Sequence, residues 1–474
     1  MKPNIFIKSI AKFYISPFVN FFVGIFAVYV TTRVFNPTIF GVISMFNMVT
    51  NVLMGISCLG FNEGFLRFYH EKINALGNGG LFRYCLSRSI VSWIFFSIII
   101  IFFYREISNS LFHEENFEII IFLILNTLSY VVLYRYMLNY HRITNQTFLY
   151  NFQQIVSNIL AKLFVVVSCL GVISISHVLF YNTVGLFCFM LIMVVSYRSL
   201  IFGNDVKNKD YDFGDVRRFS IITWPTSIMY LFANLATPLI ITLRLDASAV
   251  GIYTSTNLFA SAINVLTSGF LSYWAVFIYK NYKTEQKFIK KVHDCVMFST
   301  ICIISLLLIF QHVAYMFIGA EFHDGRLFFT FVILETLFLF LGESTQYGIS
   351  ISKKVYQTTL IFAISIVIKL VGTWMILPYF GLVGAAVMAA FSATLRFGLL
   401  SWRGQKYYST ISNAWRTSLG VLLIWFLAVS NYLFNDKYLI EMFLVIFCLL
   451  IMGLIYRSYI KDLIMFGLTK VGRQ

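Results

Sequence analysis

Two lysines and two glutamates stand inside stretches that are otherwise apolar, and they are the residues with most chemistry to offer. Lys162 lies between Ile159-Leu160-Ala161 and Leu163-Phe164-Val165, and Lys369 between Ile366-Val367-Ile368 and Leu370-Val371. A charge at bilayer depth costs at least roughly 2.5–3.5 kcal/mol, so it faces an opposite charge or a water-filled cavity. Each lysine sits about eight residues before the end of its segment. At about 1.5 Å per helical residue, that is roughly 12 Å below one and the same surface. Two cations facing a common cavity would suit an anionic group such as a diphosphate. The plainer reading is neutralisation by a neighbour. Glu335, at similar depth, is a natural mate for Lys369, whereas no acidic residue is obvious for Lys162. Glu343 follows Glu335 by eight residues, close to the same helix face; it reads as a proton carrier or as an interhelical hydrogen-bond partner. Arg33 and Arg244 each close an apolar segment, where snorkelling to the headgroups is the default, and their matched placement adds a gating or substrate role. Asn126, Gln153, Gln154 and Asn158 would line a hydrophilic path or bond between helices.

Other chemistries find no footing. The chain contains no phosphate-binding G-x-x-x-x-G-K-[ST] loop, no H-E-x-x-H zinc pattern, no C-x-x-C pair and no G-x-S-x-G elbow. Its seven cysteines are scattered, with neither a disulfide framework nor metal-ligand spacing. No cofactor and no metal are expected, and the chain reads as a transporter, not an enzyme.

The elements that must position these residues are membrane helices. The 474 residues are 59% hydrophobic and 12% charged, and mean hydropathy is +0.80. About fourteen apolar stretches follow one another, each close to the roughly 20 residues that cross a bilayer core. Continuous apolar runs select helices over barrel strands. The net charge of +16 is distributed by position. Lys and Arg crowd alternate gaps; the other gaps hold only Arg33, Arg105, Arg244, Arg326 and Lys437. The positive-inside rule makes the rich side cytoplasmic, with both termini inside. The charge is then a topology signal, and nucleic acid is not a partner.

The first twelve helices form two similar halves. Arg33-Val34 with Phe40-Gly41-Val42 recurs as Arg244-Leu245 with Val250-Gly251-Ile252, Pro17 recurs as Pro225, and Lys162-Leu163 as Lys369-Leu370. The offsets are 211, 210, 208 and 207 residues. Six helices per half is an even number, so the halves share one orientation. Parallel repeats are a transporter plan with the substrate site between them. The chain divides into a six-helix bundle at 1–202, a cytoplasmic linker at 203–216, a second bundle at 217–402, and helices 13 and 14 with the tail at 403–474. The last two helices have no partners in the repeat and look appended.

With these features the chain resembles the Wzx-type O-antigen flippases, the polysaccharide-transporter family of the multidrug/oligosaccharidyl-lipid/polysaccharide exporter superfamily. The likeness rests on the 6+6+2 helix count, on Thr32-Arg33 through Phe40-Gly41 with its echo Arg244 through Gly251-Ile252-Tyr253, and on Pro378-Tyr-Phe-Gly381-Leu-Val-Gly384-Ala-Ala386. It implies an inner-membrane protein that moves an undecaprenyl-diphosphate-linked oligosaccharide, an O-antigen or related repeat unit, to the outer leaflet by alternating access. Lipid would surround it, and a polysaccharide polymerase and a chain-length regulator would work beside it. Within that expectation Lys162, Lys369, Arg33 and Arg244 line the cavity. Two alternatives stay open. A multidrug or small-molecule cation antiporter of the same superfamily shares the twelve-helix core. A polysaccharide polymerase has similar hydropathy but needs a larger outward loop than this chain has.

Overall fold

The computed structural model describes residues 3–168, 174–203, 213–352, 354, 356–435 and 437–456. The larger part of the predicted linker, residues 204–212, lies outside that set, as do Cys169 and the tail from 457. Within it the chain is helical throughout and forms two compact units, Met1–Thr254 and Ser255–Gln474. The first contains α1 (Pro3–Val34), α2 (Pro37–Cys58), α3 (Phe61–Phe102), α4 (Tyr104–Phe112) and α5 (Phe117–Tyr130). A π-helical stretch, Val131–Met137, carries α5 into α6 (Leu138–Ile143). Then come α7 (Thr147–Ser168), α8 (Ile175–Ser196), α9 (Arg198–Phe202), α10 (Gly214–Arg244) and α11 (Ala247–Ser255). The second unit contains α12 (Asn257–Asn281), α13 (Gln286–Ile309), α14 (Gln311–Tyr315), a 3-10 stretch (Ala320–Leu327), α15 (Phe329–Thr345) and α16 (Tyr347–Ile351). It ends with α17 (Tyr356–Tyr407), α18 (Ala414–Phe434) and α19 (Tyr438–Ile455).

Among the described residues ten helices are long and apolar enough to cross a membrane, and a pair bent by 63° over Ala320–Ile351 brings the number to eleven. The sequence predicts about fourteen, and the difference has a physical basis. The 52-residue α17 holds two predicted segments, 355–377 and 382–402, in one element. It breaks at Gly381 (φ 55°, ψ −142°), a conformation that glycine alone takes without penalty. Two more predicted segments fall on α7 and on α11–α12. In α7 the run Asn151, Gln153, Gln154, Asn158 and Lys162 lowers the mean hydropathy of a helix that is otherwise long enough.

Helix starts in the first unit are set by short polar side chains. The Asn36 carboxamide accepts from the amide of Ile39, with Pro37 next in line as first residue of α2. The Asp246 carboxylate accepts from the amide of Ala249 at 2.7 Å and starts α11 in the same way. Asn36 and Asp246 are 210 residues apart, so the repeat includes the caps as well as the glycines. The two equivalent turns meet. A Cβ on Gly41 would land inside the carbonyl oxygen of Ala247 and 2.9 Å from the Gly251 nitrogen. One on Gly251 would land inside the carbonyl oxygen of Pro37 and 3.1 Å from the Gly41 nitrogen. Pro37 and Ala247 are themselves equivalent residues, so α2 and α11 cross back to back about a local two-fold axis. Small residues at such crossings let backbones touch, which in lipid replaces the hydrophobic drive for association.

Below the crossing, α10 packs along α2 and α3. The indole of Trp224 donates to the Gly55 carbonyl at 3.2 Å, and Gly60 and Gly64 lie against Ser220. α10 and the short α11 therefore pack with the helices before them, and the first compact unit ends at Thr254.

In the second unit α18 and α19, without counterparts in the repeat, are tied in by buried polar bonds at both ends. The His293 ring, on α13, bonds Ser344 through Nδ1 (2.8 Å) and Thr417 through Nε2 (3.0 Å). Ser412 donates to Asp294. Farther along, Gln311 donates to Glu441, Asn431 to Thr330 and Trp425 to Thr394. Arg326 binds the side chain and carbonyl of Asn435 at 2.9 and 2.6 Å.

Candidate functional site

Lys162 projects into an open cleft of about 140 Å³ inside the first unit. Three helices build it. α1 supplies Gly24, Ala27, Val28 and Thr31; α2 supplies Phe40, Ile43, Ser44 and Asn47; α7 supplies Ala161, Lys162 and Val165. On α2 the lining residues recur at intervals of three and four, so one stripe of that helix faces the cleft. The ammonium lies against the bare backbone of α1: a Cβ at Gly24 would come within 3.0 Å of Nζ. No carboxylate pairs with Lys162 among the described residues. Thr31, Ser44 and Asn47 are the polar residues of a lining that is otherwise mostly apolar. Asn47 is held by the Asn182 amide at 3.1 Å. An exposed cation with no carboxylate beside it attracts an anionic oxygen.

The seam between α7 and α1 is polar along its length. Ser16 donates to the Gln154 carboxamide, and Asn158 donates to the Asn20 carbonyl at 3.4 Å. Gln153 turns the other way and donates at 2.8 Å to the Leu133 carbonyl in the π-helical stretch. These residues therefore serve as interhelical bonds. Asn126 is fully buried, with neither amide atom bonded.

Lys369, the repeat equivalent of Lys162, is in a different situation. It is buried in the second unit, and its ammonium donates to Glu335 at 2.7 Å across α17 and α15. A lysine so paired offers little charge to a ligand. Glu343, two turns further along α15, lies near Gln346, Tyr347 and Arg396. The Arg396 guanidinium in turn stacks 4.6 Å over the Phe362 ring. Arg33 folds back on its own helix, donating to the Tyr29 carbonyl at 3.0 Å with its guanidinium 3.8 Å over the Tyr29 ring. Arg244 is exposed at the end of α10. The structure thus brings Lys369 together with Glu335, and among the described residues no carboxylate pairs with Lys162. Sequence reasoning missed the wall of the cleft. Asn47, a polar residue in an apolar run, is the signal that was there to find; Gly24 leaves none.

The sequence matches no family model, and none of the curated proteins compared with it is similar to a significant degree. The structure is similar to that of the lipid II flippase MurJ in an inward closed conformation. The TM-score is 0.65 at 16% identity, over 94% of this chain and 99% of that one. The fold is MurJ-like.

Proposed function

We propose that this protein is a flippase that carries an oligosaccharide linked to undecaprenyl diphosphate across the cytoplasmic membrane by alternating access, within the Wzx-type branch of the exporter superfamily. The observation that carries the reading is the MurJ-like fold over 94% of the chain. Lys162 supports it: a cation in a cleft without a carboxylate suits a phosphate oxygen, and the headgroup of such a substrate is anionic whatever its sugars. In this reading Lys162 holds a phosphate of the diphosphate. Lys369, committed to Glu335, contributes to the architecture of its own unit; Arg33 and Arg244 stand at the outer headgroup level. The sugar repeat belongs to an O-antigen or a related polysaccharide, and a polymerase with its chain-length regulator receives it on the outer side.

The test is transport of a fluorescent undecaprenyl-diphosphate oligosaccharide between leaflets of proteoliposomes. Lys162→Ala should abolish most of the protein-dependent flipping while leaving the protein folded. Lys162→Arg should retain it and Lys162→Gln should not, because the requirement is for charge. Full flipping by Lys162→Ala sinks the assigned role, and no flipping by the parent protein sinks the function.

A further inference from the structure

The backbone crossing of Gly41 and Gly251 is a motif that the substrate site does not use, yet it shares a helix with that site. On α2, Gly41 lies beside Phe40 and one turn from Ser44. The stripe Phe40, Ile43, Ser44, Asn47 walls the Lys162 cleft, and Gly41 is about 100° round the helix from Phe40. One short stretch of α2 therefore touches α11 on one side and the cleft on another. In the repeat, α2 belongs to the first half and α11 to the second, so this is a point where the two halves are in backbone contact. The contact consists of carbonyl and amide groups packed against bare α-carbons, with no side chain of either glycine to yield. A methyl group at either glycine cannot be accommodated without displacing the opposite backbone.

We propose that the Gly41–Gly251 crossing is the outward seal of the transport route, and that its parting carries the α2 wall away from Lys162, so that outward opening and release of the anionic headgroup are one event. The proposal rests on the flippase reading for its cargo and on the positive-inside orientation for its side. The chemistry of coupling is mechanical. With α2 held to α11, Ser44 and Asn47 stand with Lys162 around the cleft; with α2 swung away, the ammonium loses that polar wall and its hold on a phosphate weakens.

The experiment uses the full-length protein in cells, with its native cysteines replaced, and a membrane-impermeant maleimide added from outside. A single cysteine is placed at Thr38, which is exposed on the outer flank of the crossing, or at Ser44 in the cleft. In the parent, position 38 should react fast and position 44 slowly. Gly41→Ala or Gly251→Ala should raise the rate at position 44 by roughly tenfold, the shift in a closed–open equilibrium that an overpacking penalty of about 1.4 kcal/mol produces. Gly398→Ala, whose methyl meets open space, should leave it unchanged. Equal rates at 38 and 44 in the parent would overturn the seal without reference to any glycine variant, as would unchanged labelling in both alanine variants. The readout is accessibility, so it stands or falls independently of the flipping assay.

Discussion

At the scale of single residues, equivalent positions have been put to different uses. Lys162 and Lys369 share a place in the sequence offsets, yet one faces an open cleft and the other is buried against Glu335. Their substitutions should therefore part company. Removing one partner of a buried pair leaves an uncompensated charge and costs about 3–5 kcal/mol. Lys369→Ala should lower thermal stability by that order, and the double variant Lys369→Met with Glu335→Gln should recover most of the loss. Lys162→Ala should leave stability near the parental value. Thermal unfolding of the detergent-solubilised variants checks both, and equal destabilisation by the two alanine variants would contradict the assignment. The Lys369 pairing was legible in the sequence because Glu335 lies at matching depth in another apolar run. The environment of Lys162 was half legible. The lack of an acidic mate could be read, but Gly24 could not, since an omitted side chain leaves no pattern among apolar neighbours.

At the scale of elements, the sequence offsets point to a repeat but not to which elements meet. Constant offsets identify Arg33, Gly41, Pro17 and Lys162 with Arg244, Gly251, Pro225 and Lys369. Spacing along a chain says nothing about which backbones touch, so the mutual packing of the two glycine turns emerged only in three dimensions. The caps Asn36 and Asp246 escaped the comparison because different residue types do the same work. The last two helices show the converse. They look appended because they match nothing in the other half, yet His293, Gln311, Thr330 and Thr394 all spend polar groups on them. Each buried polar group left without a partner costs about 1–3 kcal/mol. A chain ending after Tyr408 should therefore fail to accumulate as a monodisperse protein. Fluorescence-detected size exclusion of the tagged truncation tests this, and a normal elution profile would show the helices to be dispensable.

At the scale of the whole molecule, the hydropathy rhythm predicts the class of the protein, and the MurJ-like fold agrees with it at 16% identity. The predicted helix count exceeds the number of apolar spans because α17 holds two predicted segments in one element, another is split over α11 and α12, and polar residues lower the hydropathy of α7. Ligand binding should register on the entire structure. A ligand held by the folded protein alone stabilises it by about 2.7 kcal/mol at a hundred times its dissociation constant. Undecaprenyl diphosphate in mixed micelles should raise the Tm of the parent and leave that of Lys162→Gln unmoved. An equal rise in both would place the anion elsewhere.

The meeting of α2 and α11 through main-chain atoms has a bearing on ancestry as well as on movement. A joint made of carbonyls and amides carries no net charge and nothing that titrates, so salt and acidity leave it alone. It also asks nothing of the side chains around it beyond two hydrogens in place of two methyls. Residues lining the neighbouring hollow are then at liberty to drift while the joint endures. Distant kin of this chain should have diverged in the pocket residues other than Lys162 and kept the same pair of bare carbons, here 210 positions apart.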